Sequence, residues 1–78
     1  MSKRDQTLVA FGQNVRKRRE AKSLTQETLA EKADLDRTYI SDIERGTRNP
    51  GVKNVACLAR ALGTTVSELC KGIERGRK

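Results

Sequence analysis

Two helix starts lie one short element apart, and that spacing leaves the middle of the chain little choice. In "LTQETL", Thr25 stands where an N-cap belongs, with Gln26 and Glu27 in the first turn behind it. Leu24 before the cap and Leu29 four residues after it have the spacing of a hydrophobic staple. "LDRTYI" repeats the arrangement, with Asp36 as cap and Leu35 and Ile40 as staple. A helix that begins at Gln26 must therefore stop near Lys32, because the next begins at Arg37. Only "ADLD" is left to turn between them. Leu29, Ala30 and Ala33 on the first helix, and Ile40 and Ile43 on the second, recur at inward spacing. Two short helices joined this tightly are a helix-turn-helix signature over about residues 25–45.

The flanks are also helical. Leu8, Phe11, Val15 and the stems of Arg18 and Arg19 predict a first helix over residues 5–22, which "KSL" breaks. Gly46 ends the third helix as a residue free to turn left-handed, and "TRNPG" is a loop. A fourth helix is predicted over residues 52–62, with Val52, Val55, Ala56, Leu58, Ala59 and Leu62 apolar and Gly63 as its stop. "TVSE" then matches a capping box, Thr65 capping and Glu68 reaching back. The fifth helix carries Val66, Leu69, Cys70 and Ile73, and "ERGRK" reads as a frayed basic tail within residues 65–78. Residues 1–78 thus form one all-α, five-helix domain. With 78 residues and only 3% aromatic content, its core must come from Leu, Ile, Val and Ala.

The net charge of +7 points to a polyanionic partner, since neutralising phosphates releases counterions. A merely solubilising surface is the competing explanation. The chain has no histidine and no CxxC spacing, so no zinc or other metal site is expected, and Cys57 and Cys70 read as small buried hydrophobes. No nucleophile–base pair or Gly-rich phosphate loop is present, which argues against an enzyme, a cofactor or a small-molecule ligand. No apolar run reaches membrane-spanning length, and "MSKRDQTLVAFG" lacks a signal-peptide core, so a cytoplasmic protein is expected.

"LTQETLAEKADLDRTYISDIERGTRNP" resembles the helix-turn-helix core of the phage-repressor/Cro-type (XRE-like) transcription factors. The Thr-Gln-Glu start, the Leu-Ala pair, the short turn, the Ile-x-x-Ile-Glu-x-Gly run and the Asn-Pro loop carry the likeness. "LARALGTTVSELC" resembles the fourth and fifth helices of that family, so the match runs from about Phe11 to Cys70. Within the family, "DRTYISDIERGTRNP" is most similar to the controller proteins of restriction–modification systems. The chain departs from the family pattern where the fourth helix starts. Gly51 and Lys53 stand where Ser and Glu are common, which weakens the cap and the dipole match.

The resemblance implies a lambda-repressor-like fold whose third helix enters the major groove of double-stranded DNA. The candidate base contacts are Arg37, Thr38, Tyr39, Ser41 and Asp42. Arg37 has the fork that pairs with guanine O6 and N7, though a phosphate contact or a solvated side chain stays open. The Thr38 methyl can meet a thymine methyl. Tyr39 fits the protein–DNA rim, because Ile40 and Ile43 already fill the inward positions. Asp42 either accepts from cytosine N4 or holds Arg37 or Arg45 by an ion pair. The phosphate candidates are Gln26, Arg45, Arg48, Asn49 and Lys53, of which Lys53 can equally be solvated. The resemblance also implies a partly buried Arg19–Glu44 ion pair that is structural.

One small domain touches too little DNA for tight, selective binding, so a homodimer reading half-sites about 34 Å apart is expected. Val66, Leu69, Cys70 and Ile73 are the interface candidates, unless they only close the monomer core. The function implied is regulation of transcription at an operator near the protein's own promoter, by blocking or recruiting RNA polymerase. Glu20, Glu27 and Glu31 are candidates for an activating acidic patch. The alternative is an antitoxin-like or adaptor module that binds a protein and only weakly binds DNA.

Overall fold

The computed structural model describes residues 5–75. Its helices are α1 (Gln6–Ala21), α2 (Gln26–Ala33), α3 (Arg37–Glu44), α4 (Val52–Ala61) and α5 (Val66–Leu69), followed by a 3₁₀ turn, Ile73–Arg75. Four caps work from their side chains. Asp5 accepts from the backbone N–H of Thr7 and Leu8, Thr25 from Thr28, Asp36 from Thr38 and Thr65 from Glu68. Each satisfies a donor that the first helical turn would leave unpaired. At the start of α4, Gly51 supplies no side-chain cap.

The four longer helices end alike. The residue after the last turn is left-handed, and the N–H beyond it bonds back across six residues. Leu24 N donates to Arg19 O, Leu35 to Ala30, Thr47 to Asp42 and Thr64 to Ala59, at 2.8–3.1 Å. Gly46 (φ 76°) and Gly63 (φ 70°) suit that conformation, whereas Ser23 (φ 58°) and Asp34 (φ 59°) adopt it despite a Cβ. Asp34 is the pivot of the turn between α2 and α3, and its N–H bonds back to Ala30 O and Glu31 O of α2.

The core joins all five helices through Phe11, Val15, Leu29, Ala30, Ala33, Ile40, Ile43, Leu58, Ala59, Leu62 and Leu69. Leu24 and Leu35 pack against it from the staple positions. At the crossing of α1 and α3, Gly12 lies so close to α3 that a Cβ there would stand 2.2 Å from Ile43 O and 2.8 Å from Glu44 O. Nothing larger than glycine fits, and this contact sets how α3 is presented.

Val52, although apolar, is 83% exposed, because it sits in the first turn of α4 before that helix meets the core. Two expectations need correcting. Glu68 does not close a capping box with its side chain. Its Oε1 accepts instead from Arg18 Nη2 of α1 at 3.3 Å. The tail does not fray from residue 74, since Glu74 and Arg75 belong to the 3₁₀ turn. The rest of the predicted tail, residues 76–78, and the start of the N-terminal segment, residues 1–4, lie outside the described residues. Among the described residues, no helix is long and apolar enough to cross a membrane.

Candidate nucleic-acid interface

The first turn of α3 separates its charges. Asp36 turns inward on the backbone, its Oδ2 accepting from Thr38 N at 2.9 Å, with its negative charge at the positive end of the helix dipole. Asp42, one turn on, bonds Arg45 Nη2 through Oδ1, and Arg45 Nη1 also donates to Ser41 Oγ at 3.2 Å. The Asp42 side chain is 23% exposed and that of Arg45 58%. Of the two readings for Asp42, the geometry matches the ion pair, and the partner is Arg45 rather than Arg37. Asp36 and Asp42 are thereby both engaged within the protein, the first by a backbone N–H and the second by Arg45. Arg37 and Thr38 stand exposed between them, and among the described residues Arg37 makes no ion pair.

Tyr39 is half-buried and packs against the core edge. Two contacts fix it. Asn54 Nδ2, from α4, donates to the Tyr39 hydroxyl at 2.9 Å, and the Arg48 guanidinium carbon lies 4.8 Å from the ring centroid. The cation over the ring face is attracted by the ring quadrupole. Arg48 is therefore tied to Tyr39 as well as exposed. A shallow groove between α3 and the start of α4 runs through Leu35, Thr38, Tyr39, Asp42, Arg48 and Asn54. Sequence reasoning missed Asn54. It lies one turn before Leu58 on the buried face of α4, and a polar residue on an apolar face needs a partner.

The remaining phosphate candidates divide. Asn49 and Lys53 are exposed beside the groove. Gln26 is half-buried, and its Nε2 donates to Glu44 Oε1 at 3.0 Å. Glu44 is in turn gripped by Arg19, whose Nε and Nη2 lie 2.6 and 3.0 Å from its two oxygens. Arg19 Nη1 also donates to Leu24 O at 2.8 Å. The hydrogen bond to Glu44 raises the Arg19 pKa above its ordinary value, against the desolvation that lowers it. This network ties together α1, α2 and the end of α3, and it holds the Gln26 amide at the first turn of α2.

The interface candidates also divide, and they span more than α5: Val66 and Leu69 lie on it, Cys70 is its C-cap, and Ile73, expected on the fifth helix, belongs to the 3₁₀ turn because the helix stops at Leu69. Leu69 is fully buried in the monomer and offers no surface to a partner, because it closes the core against α1 and α4. Val66 is 41% exposed, and Cys70 and Ile73 are half-buried. Burial pushes the Cys70 thiol pKa up, which keeps it protonated and apolar in character. Asn14 of α1 holds this end in place, donating to Leu69 O and Lys71 O at 2.9 and 3.0 Å.

A short capped helix presenting an unpaired arginine, next to a basic loop and braced by a second helix across a tight turn, is the arrangement of a helix-turn-helix DNA reader. The helix-turn-helix family profile matches residues 15–69, and the chain belongs to that family, in its phage-repressor/Cro-type (XRE-like) branch. Over 60 residues it is 53% identical to the control protein C.BamHI of Bacillus amyloliquefaciens, covering 76% of this chain and 74% of that protein. The crystal structure of the restriction–modification controller protein C.AhdI from Aeromonas hydrophila is similar at a TM-score of 0.78 and 50% identity, over 80% of this chain and 94% of that one. SinR, a master regulator for biofilm formation solved in complex with DNA, is similar at a TM-score of 0.73 and 32% identity, over 76% of this chain and 95% of that one.

Proposed function

We propose that the protein is a sequence-specific DNA-binding transcriptional regulator. It binds a pseudopalindromic operator as a homodimer, and it controls its own gene together with a restriction–modification system. The observation that carries this reading is the exposed Arg37–Thr38 pair at the start of α3, with Asp36 and Asp42 both engaged within the protein. Arg37 reads a guanine edge, and Thr38 packs on a neighbouring thymine methyl. Arg45, Arg48, Asn49 and Lys53 anchor the backbone, and Gln26, held by Glu44, adds a contact from the start of α2.

The dimer forms through Val66, Cys70 and Ile73, away from α3, and places two recognition helices about 34 Å apart. The similarity to controller proteins supports the link to restriction and modification. Bound at its operator in the cytoplasm, the dimer blocks RNA polymerase or recruits it. The exposed Glu27 and Glu31 supply the acidic surface for recruitment, whereas Glu20 pairs with Arg16 at 3.1 Å.

The test is titration of a pseudopalindromic operator against scrambled DNA at two salt concentrations. Specific binding about a thousandfold or more tighter than to scrambled DNA is expected, the low end for specific DNA readers. Equal affinity for both would sink the reading.

A further inference from the structure

We infer that Asn54 is a positioning residue for DNA recognition, acting through the hydroxyl of Tyr39. The inference rests on the reading that the exposed face of α3 meets DNA. A phenol oxygen both donates and accepts. Here the oxygen accepts from Asn54 Nδ2 at 2.9 Å, so the bond to α4 uses a lone pair and leaves the O–H proton available. The Arg48 guanidinium lies over the ring, 4.8 Å from its centroid. Three segments thus hold one side chain: α3 provides it, the following loop covers its face and α4 fixes its hydroxyl. Tyr39 itself lines the groove together with Thr38, Asp42 and Arg48, so a proton the hydroxyl does not spend on Asn54 is free to be donated there.

A donor beside the Arg48 guanidinium suits an acceptor atom on DNA. Without Asn54 the hydroxyl rotates freely and can spend its proton on water. Asn54 need not touch DNA to affect binding. It lowers the ordering that Tyr39 must undergo when the complex forms. It also couples the start of α4 to recognition, a role that its place on an otherwise apolar face does not announce.

A double-mutant cycle on operator affinity tests this. Tyr39→Phe is expected to weaken binding about tenfold, as for a lost hydrogen bond to a polar or charged acceptor. Asn54→Ala is expected to weaken it roughly threefold to tenfold in the native background and to have no further effect in Tyr39→Phe. Thermal melting accompanies each variant. If Asn54→Ala melts early, Asn54→Leu, of similar shape without the amide, replaces it. Tyr39 is the only tyrosine and the chain has no tryptophan, so in the native protein and Asn54→Ala its fluorescence reports occupancy of the site without a label, and the Tyr39→Phe variants are read by labelled operator DNA. If Tyr39→Phe weakens binding but Asn54→Ala costs the same in both backgrounds, or nothing in either, the DNA contact stands and the positioning role falls. If Tyr39→Phe leaves affinity unchanged, the contact and the positioning role fall together.

Discussion

Arg19 and Glu44 meet as a two-pronged ion pair whose side chains are only 12% and 4% exposed, and Gln26 completes the carboxylate's shell. One pair thereby fixes the first helix, the entry to the helix-turn-helix and the end of the recognition helix. Removing one partner strands a charge. Glu44→Ala is expected to destabilise the fold by about 3 kcal/mol or more, read by chemical denaturation. Arg19→Lys should recover little of the function of Arg19, because an ammonium cannot serve Nε, Nη1 and Nη2 positions together. The pH dependence follows from the direction of the shift. The folded pKa of Arg19 is raised, so its contribution is complete below the unfolded-state value and lost only as pH rises through the folded one. Denaturation midpoints should therefore show no loss from this pair between neutral and moderately alkaline pH.

Gly12 should tolerate no side chain. In Gly12→Ala the new methyl would meet backbone oxygens of Ile43 and Glu44, which cannot rotate away. The expected loss is about 2–3 kcal/mol or more by the usual cost of overpacking. Operator affinity should fall with it, since α3 must move. A melting temperature equal to that of the native protein would show that the crossing of α1 and α3 is looser than described.

Asp34 offers the opposite change. It holds φ 59° at the turn of the helix-turn-helix, a conformation that disfavours residues with a Cβ. Asp34→Gly is expected to stabilise the protein by about 0.5–1 kcal/mol, the relief of strain exceeding the added freedom of the unfolded chain. Its effect on operator binding should be small, because Asp34 makes no contact in the groove beside Tyr39.

The elements that local chemistry sets were legible in the sequence. Thr25, Asp36 and Thr65 cap as their types predict, and Leu29, Ala30, Ala33, Ile40 and Ile43 are buried as their spacing predicts. Less legible was what depends on contacts between helices. Val52 shares the apolar pattern of α4 yet is exposed, because α4 reaches the core only later. A mid-helix glycine such as Gly12 reads as a weak helix former until the neighbouring backbone is in place. Glu68 has a local target in a capping box and a distant one in Arg18, and the distant one wins. The resemblance supplied the Arg19–Glu44 pair, which composition and spacing could not have specified.

The dimer face has a clear test at Val66. It is the most exposed of the apolar candidates on and after α5, so Val66→Glu should disturb the monomer little. Sedimentation equilibrium should show a shift to monomer, with operator affinity falling by about tenfold or more as the second half-site contact is lost. Ile73→Glu should act likewise but with some loss of stability, since Ile73 also packs on the core. An unchanged dimer in both variants would place the interface elsewhere.

The basic loop gives a separate signature. Lys53→Ala should weaken operator and scrambled DNA alike and reduce the salt slope by about one, as for a single lost phosphate contact. Arg48→Ala should do the same and in addition lower selectivity, because Arg48 covers the ring of Tyr39.

The central claim is that the exposed start of α3 reads base edges. Selection of bound sites from random DNA, performed with the native protein and with Arg37→Ala, tests it most directly. The native protein should yield a two-fold symmetric consensus with half-sites about one helical turn apart and a guanine at a fixed place in each. Arg37→Ala should keep the symmetry and lose the guanine. A consensus that survives Arg37→Ala unchanged, or no consensus from the native protein, would contradict the account.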